Sequence, residues 1–414
     1  MSLPGRAEVV VVGAGLAGLS VATRLSAAGR DVHLVDAAAH VGGRVTTEEV
    51  DGFLVDRGFQ VLNTGYPRVA ADLDLTALDL GWFWTGAIVR VDGTPHRVVD
   101  PRKHPQATLD TVRAPLGNLL QEAAIGAFSA RAGYLPVDRL LHARERTAEE
   151  ALRRARVGED ALERFFRPFL SGVLLESELT TSSRYLDLLW RSFVRGRIGL
   201  PARGMRAIGE QLADRLPPEV RHLSTEVLEV SGDRVRTSAG TITAGAVVVA
   251  TDPDTAARLL APLPASAPRQ VTTHLHVLPA SPWDEPLIVL GQPGGRLVNS
   301  VVVSDAQPAY SPDGRALVAS STLAPTSEAE VRAEVAQAQG VSVADLEHLT
   351  SVTVTGAQPA VTVPLRSRQP IDLGGGLYVC GDHRDTPSIQ GAMASGARTA
   401  RAVLRRLRPV GDGR

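Results

Sequence analysis

Val9-Val10-Val11-Val12-Gly13-Ala14-Gly15-Leu16-Ala17-Gly18-Leu19 is the stretch on which the fold turns. A β-branched run ends in a glycine pattern. A helix-compatible stretch, a second apolar run and Asp36 follow. Strand, glycine turn, helix, strand and acid, in that order, make GxGxxG a dinucleotide-binding fingerprint. Gly13 permits the tight turn out of the strand. Gly15 lets the backbone approach a pyrophosphate, and Gly18 lets the helix pack on the sheet. Leu16 and Ala17 begin the helix, where free N–H groups and the positive dipole end favour phosphate. Asp36 stands about twenty residues on, where a carboxylate accepts ribose hydroxyls. A ligand-free strand–helix turn would need the glycines but not the acid.

The rest of the chain is ample for more than this unit. Its 414 residues predict two or three domains. A formal net charge of −1 gives no bulk attraction to nucleic acid, so no nucleic-acid partner is expected. Cys380 is the sole cysteine, which excludes an intramolecular disulfide and a cysteine-cluster metal site. No metal is expected. No stretch reads as a transmembrane helix, and Glu8 with the glycine fingerprint argues against a signal peptide. The expected location is cytoplasmic, with peripheral membrane contact left open.

Val41-Gly42-Gly43-Arg44 follows the second strand, and Gly43 and Arg44 would bring backbone and a guanidinium onto the pyrophosphate. Gly52 to Leu62 reads as strand, turn around Gly58, and a second apolar run, with Gly58 marking close approach to a ligand or a hairpin. Leu116, Leu119, Leu120, Ala123, Ala124 and Phe128 lie near helical spacing and are expected in the core; a lip admitting a lipophilic substrate is the alternative. Phe165 to Val173 reads as helix, proline, then glycine turn. Residues 225–251 read as a meander feeding a buried strand, and a helix is expected near residues 327–339. His274 and His276 alternate on one strand face and read as ordinary strand histidines. Trp82, Trp84 and Tyr310 are expected in core packing, with pocket lining as the alternative. The last few residues read as a loose tail.

Leu377 to Gly396 is a second signature. A buried strand ends at Gly381-Asp382, and a helix begins near Ser388, a good N-cap after Pro387. Gly391, Ser395 and Thr399 form one row of small residues on that helix; Ala392 and Gly396 form another. Such rows allow close approach to a neighbouring backbone.

GxGxxG, the acid at its distance, Gly-Gly-Arg, Asp56-Arg57-Gly58-Phe59-Gln60-Val61-Leu62 and Pro387 to Gly396 occur in this order. Together they resemble the FAD-dependent amine oxidase/phytoene desaturase/protoporphyrinogen oxidase superfamily, closer to the desaturase branch. That family usually has glutamate where this chain has Asp36. The resemblance implies an α/β fold: a Rossmann-like FAD-binding domain with an inserted α+β substrate-binding domain. It divides the chain into residues 1–66, 205–264 and 366–414 for FAD, and 67–204 and 265–365 for substrate. It adds Phe59, Gln60, Val227, Thr251, Gly381, Asp382, Ser388, Ile389 and Ala392 to the cofactor-binding residues. His383 is the candidate proton acceptor, since an imidazole titrates near neutrality, or else a hydrogen-bond partner of cofactor or backbone.

The implied activity is FAD-dependent oxidoreduction of a small lipophilic substrate, isoprenoid- or carotenoid-like, of desaturase or oxidase type. Oxygen and a quinone are the electron acceptors considered. A flavin-dependent amine oxidase, a non-redox isomerase or cyclase, and a non-catalytic FAD-binding partner are the alternatives. Many amine oxidases carry a lysine near the flavin in the second half of the chain. Here Lys103 is the only lysine, which weakens that alternative.

Overall fold

The four valines at residues 9–12 are almost fully buried because their strand, Arg6–Val12, lies in the middle of a sheet. Val9 and Val11 enter one core with Leu19, Leu34, Val248 and Met393. Val10 and Val12 enter another with Val227, Val235 and Ile242. Burial on both faces explains a continuous apolar run where a half-buried strand would alternate. The computed structural model describes residues 3–260, 263 and 267–407. The expected domain limit at 264/265 and the end of the C-terminal tail fall outside them.

Arg6–Val12 pairs in parallel with Val32–Val35 on one side and Gly240–Val249 on the other. Leu377–Val379 adds in parallel to Gly240–Val249, next to which the meander strands Val227–Val230 and Arg234–Thr237 run antiparallel. The sheet has eight strands. Three distant parts of the chain therefore meet side by side: the first forty residues, the meander and the last strand.

The second sheet has seven strands, Gly86–Val91 and Thr94–Val99 joining five strands between residues 268 and 359. The helix Glu328–Gln339 covers it, as the sequence predicted. A small third sheet of Leu62–Asn63, Leu80–Trp82 and Ile198–Pro201 shares a core with both through Leu62 and Leu200.

Two sequence expectations need correction. No glycine turn follows Pro168. A π turn at Leu162–Phe166 leads into a helix, Arg167–Leu174, that runs through Gly172 and stops where Leu175 takes a left-handed φ of 53°. Pro168 sits in its first turn, where a missing N–H costs nothing. Leu119 and Leu120 are 76% and 82% exposed, not core. They start the helix Leu119–Tyr134, whose buried residues are Phe128, Ala132 and Gly133 near its far end. Helical spacing identifies a helix, but not which end is covered.

Candidate active site

The glycine turn is built by contact as much as by conformation. Gly13 takes a φ of 109°, and a Cβ there would lie 2.8 Å from the carbonyl oxygen of Ala250. A Cβ on Gly18 would overlap the carbonyl oxygen of Gly13. Both positions are closed to a side chain, and Gly13 also lines the cavity. Gly15 differs, since a Cβ there meets nothing within 4 Å and the residue lines an open cavity. The helix Leu16–Ala27 starts at Gly15 with no side-chain cap and no acidic residue in its first turn. Its orphan N–H groups and dipole are left for something else to satisfy.

Asp36 ends the second strand. Its carboxylate accepts from Ala14 N at 2.5 Å and from Ala38 N at 2.7 Å, and it too lines the cavity. The shorter acid is thereby tied to the glycine turn itself.

Gly43, Arg44, Gly58, Phe59 and Gln60 form the next section of wall. Gln60 Nε2 donates to the carbonyl oxygens of Arg44 and Arg57 at 2.8 and 2.9 Å, joining the two loops. Arg44 lines the cavity, with its Nη2 2.7 Å from Asp382 Oδ1 and its Nη1 2.9 Å from the carbonyl oxygen of Ala357. Burial would lower the Arg44 pKa, but the Asp382 charge and hydrogen bond outweigh it and raise the value. This ion pair ties residues 338 apart in the chain.

Val227, Thr251, Gly381, Asp382, Ser388, Ile389 and Ala392 also line the cavity. Ser388 caps the helix Ile389–Arg406 by accepting from Gly391 N at 3.0 Å. The small rows bring this helix onto the first one. A Cβ on Gly396 would overlap the carbonyl oxygen of Ala17, and Ser20 Oγ donates to Met393 O at 2.9 Å. The two uncapped or serine-capped helix starts thus open on one space.

The structure does not bring His383 to the wall. Its ring lies over Gly381, buried, with neither nitrogen hydrogen-bonded. Burial pushes its pKa down to about 4, so it is neutral at physiological pH and a poor proton acceptor. His274 and His276 are fully buried, with His274 Nδ1 2.8 Å from Ser351 Oγ and His276 Nε2 2.9 Å from Glu328 Oε1. Tyr310 donates to Asp56 at 2.6 Å, away from the cavity. Lys103 Nζ donates to Gly196 O at 2.6 Å, at the end of the helix Ser183–Arg195. Trp82 lies under the Arg197 guanidinium, 4.0 Å from the ring centre. Trp84 does both, lining the cavity and packing on the core with Val99 and Leu287.

The cavity encloses about 1510 Å³, more than the roughly 300–1,000 Å³ of a typical single-ligand site. Beyond the glycine turn it is walled by Phe165, Phe169, Trp190, Phe193 and Phe83. Phe165 stacks on Phe169 at 5.8 Å between centroids, and Phe169 packs edge-on against Phe193 at 5.3 Å. The sequence showed these aromatics without showing that helices from residues 162–174 and 183–195 turn them to one space.

The fit to FAD rests on the cradle: open space at Gly15, an uncapped helix start, an acid at the second-strand end, and a channel long enough to pass a second helix start. The nucleotide cleft continues into an apolar chamber, which leaves room for FAD and for a substrate beside it. Residues 16–404 match the family of flavin-containing amine oxidoreductases, and the chain belongs to that family. Rice polyamine oxidase 1 is 36% identical over 132 residues, which cover 30% of this chain and 26% of the rice protein. The 4,4'-diaponeurosporene oxygenase of Staphylococcus haemolyticus is 41% identical over 59 residues, 14% of this chain and 12% of that protein. The matches thus span well under half the length of these curated relatives. The structure of a putative protoporphyrinogen oxidase from Exiguobacterium sp. 255-15 superposes with a TM-score of 0.71 at 17% identity, covering 98% of this chain and 100% of that one. The fold is shared along its whole length.

Proposed function

We propose that this enzyme removes a hydride equivalent from a carbon centre of a lipophilic, isoprenoid- or carotenoid-like substrate, as a desaturase or oxidase. The observation that carries the reading is the aromatic chamber continuous with the nucleotide cleft. The same wall carries Glu122 and Arg102, the latter paired with Asp100 at 2.6 Å. Aromatic walls bind long apolar molecules by area and exclude water. The chemistry that FAD supplies when bound is acceptance of two electrons and a proton from the substrate carbon, with oxygen or a quinone as the eventual acceptor.

The chain's own residues bind and orient. Gly13, Gly15, Leu16, Ala17, Gly18 and Asp36 would hold the nucleotide end, with Val227 and Thr251 alongside. Gly43, Gly58, Phe59 and Gln60 would wall the middle. Arg44, Asp382, Gly381, Ser388, Ile389 and Ala392 would hold the flavin end, the Arg44–Asp382 pair fixing the two loops against each other. The proposed division of the chain follows. Every strand of the eight-stranded sheet falls in residues 1–66, 205–264 and 366–414, and every strand of the seven-stranded sheet in 67–204 and 265–365.

Entry from a membrane surface belongs to the same reading. Leu109, Val112, Leu119 and Leu120 are exposed on two helices whose Thr108, Thr111, Ile125 and Ser129 line the cavity. An exposed apolar patch beside a cavity suits loading from lipid. Among the described residues no helix is long and apolar enough to cross a membrane.

An amine substrate is the second reading, favoured by the rice relative's name. Lys103 speaks against a lysine-assisted version, because its ammonium is spent on the Gly196 carbonyl. An absorbance spectrum followed by anaerobic titration separates the two. Bleaching of the flavin bands by an acyclic polyene supports the proposal. Bleaching by polyamines alone, or absence of flavin bands, overturns it.

A further inference from the structure

The outer face of the last helix carries positive charge that the protein leaves in excess. Arg398, Arg401 and Arg405 recur at i, i+3 and i+7 on the helix Ile389–Arg406, so they share one face. Arg401 and Arg405 are exposed, and Arg398 is half-buried. Arg398 Nη1 donates to Gln369 O at 3.1 Å and its Nη2 to Arg384 O at 2.9 Å, which lays two loops beside this face. Those loops add Arg384, buried with its Nε 3.1 Å from Pro370 O, and Arg368, exposed. Arg368 holds a φ of 52°, a conformation that arginine seldom adopts.

These charges act on one another. Burial lowers the Arg398 pKa, and repulsion from Arg368 and Arg401 lowers it further against the attraction of Asp385. Burial, then Arg398, lower that of Arg384. Asp385 stands 3.6 Å from Arg398, and among the described residues that is the only ion pair on this face. Arg405 and Arg406 stand near Tyr378 with Asp372, the other acid close by. Six guanidinium groups therefore face two carboxylates, on a chain whose formal net charge is −1. Leu373, next to Asp372, is 40% exposed and gives the patch an apolar contact point.

The same loops lead to the cavity wall. Gln369 N donates to Arg384 O at 2.9 Å, and its Nε2 to His383 O at 3.1 Å. His383 and Arg384 directly follow Gly381 and Asp382, which line the cavity. The positive surface thus backs the part of the wall assigned above to the flavin end.

We propose that this face docks an acidic one-electron carrier protein, which takes the electrons of each turnover from the flavin towards the eventual acceptor. The inference rests on the cavity being an FAD site. Two electrons pass from reduced FAD to two oxidised carriers, one each, and two protons leave to water. Charge selects the partner, since a cationic surface steers an acidic protein onto itself and repels a basic one. Arginine suits such a surface, because its fork pairs carboxylates and it is weakly hydrated. Position assigns the role, because one loop separates a protein docked here from the flavin end.

The test uses the FAD-loaded protein, its flavin reduced anaerobically by light and EDTA, so that no substrate is needed. The probes are the soluble haem domain of cytochrome b5, which is acidic, and cytochrome c, which is basic. Haem absorbance reports the one-electron reduction of each. Cytochrome b5 should be reduced about tenfold faster at about 20 mM salt than at about 200 mM, and cytochrome c should show no such gain. Sedimentation should show a complex with oxidised cytochrome b5 at the lower salt. Arg368→Gln, Arg401→Gln and Arg405→Gln together should slow cytochrome b5 about tenfold and remove the complex. Tm should stay within about 1 °C, and reoxidation by oxygen should be unchanged. Arg401→Glu with Arg405→Glu should reverse the two salt dependences. Transfer that ignores salt, no transfer to cytochrome b5, or a rate that survives the substitutions overturns the assignment. So does binding of this face to phosphatidylserine vesicles but not to cytochrome b5. Protein purified without flavin bands defeats the proposed function itself. Flavin-loaded protein that passes no electrons to cytochrome b5 defeats only the docking face.

Discussion

Gly396→Ala is the sharpest perturbation of the framework on which the site depends. In an open helical position alanine gains about 1 kcal/mol over glycine. At Gly396 the added Cβ overlaps the carbonyl oxygen of Ala17 and stands 2.8 Å from Ser20 Cβ. Ser20 is fixed by its bond to Met393 O, so relief requires the two helices to separate. Overpacking of that kind costs up to about 3 kcal/mol, which leaves a net loss of about 2 after the gain in propensity. Unfolding entropy of about 2 cal/mol/K per residue over ~400 residues converts that to a fall in Tm of about 2–3 °C. Separation also moves the turn at Leu16 and Ala17, so FAD affinity should fall about tenfold, equivalent to ~1.4 kcal/mol. Scanning calorimetry and a flavin-release titration read both effects. Gly126→Ala is the control: it lies in the helix Leu119–Tyr134, its Cβ meets nothing within 4 Å, and Tm should rise by about 1 °C. If Gly396→Ala also raises Tm, the close-packing argument is wrong.

Arg44→Ala should strand the Asp382 carboxylate, whose side chain is 8% exposed, at a cost of about 2–3 kcal/mol after allowing for the partial exposure of the guanidinium; purified protein should carry visibly less flavin, and full occupancy would refute the pairing's importance. Burial lifts the Asp56 pKa to about 6, against hydrogen bonds from Thr47, Tyr310 and Met205 that act to lower it. The folded state then binds more protons than the unfolded one between about pH 4 and 6, so Asp56 contributes stability at low pH that is lost as pH rises through 6, roughly 2–3 kcal/mol in all. Urea midpoints from pH 4 to 7 should lose that downward slope in Asp56→Asn; parallel curves would count against it. Leu119→Asp with Leu120→Asp should abolish sedimentation with phospholipid vesicles while leaving Tm within about 1 °C, since neither side chain is buried; unchanged sedimentation removes the proposed membrane rim.

Local chemistry made much of this legible. The turn at Gly13, the helix start at Leu16, the acid at Asp36, the meander and the Ser388 cap each depend on neighbours within a few residues or on a fixed spacing. Longer-range facts were hidden. Arg44 showed no partner in the sequence because Asp382 stands 338 residues further on. Gly172 looked like a turn because only Asn299, on a distant strand, explains a glycine inside that helix. Leu119 and Leu120 looked like core because periodicity carries no record of what covers a face. His383 looked reactive because an imidazole's ordinary pKa is near neutral, and burial that lowers it is a tertiary property.

By itself the sequence determined a strand–turn–helix nucleotide cradle at one end of the chain and a small-residue helix at the other. Glycine conformation, capping and two-sided burial are written into adjacent residues. Tertiary structure alone decided that these ends meet in parallel, and that aromatics from two helices close one chamber onto the cleft. It alone set Gly172 of one helix against Asn299 of a distant strand. Which side chains share a space depends on contacts between elements far apart in the chain, and no spacing along the chain encodes them.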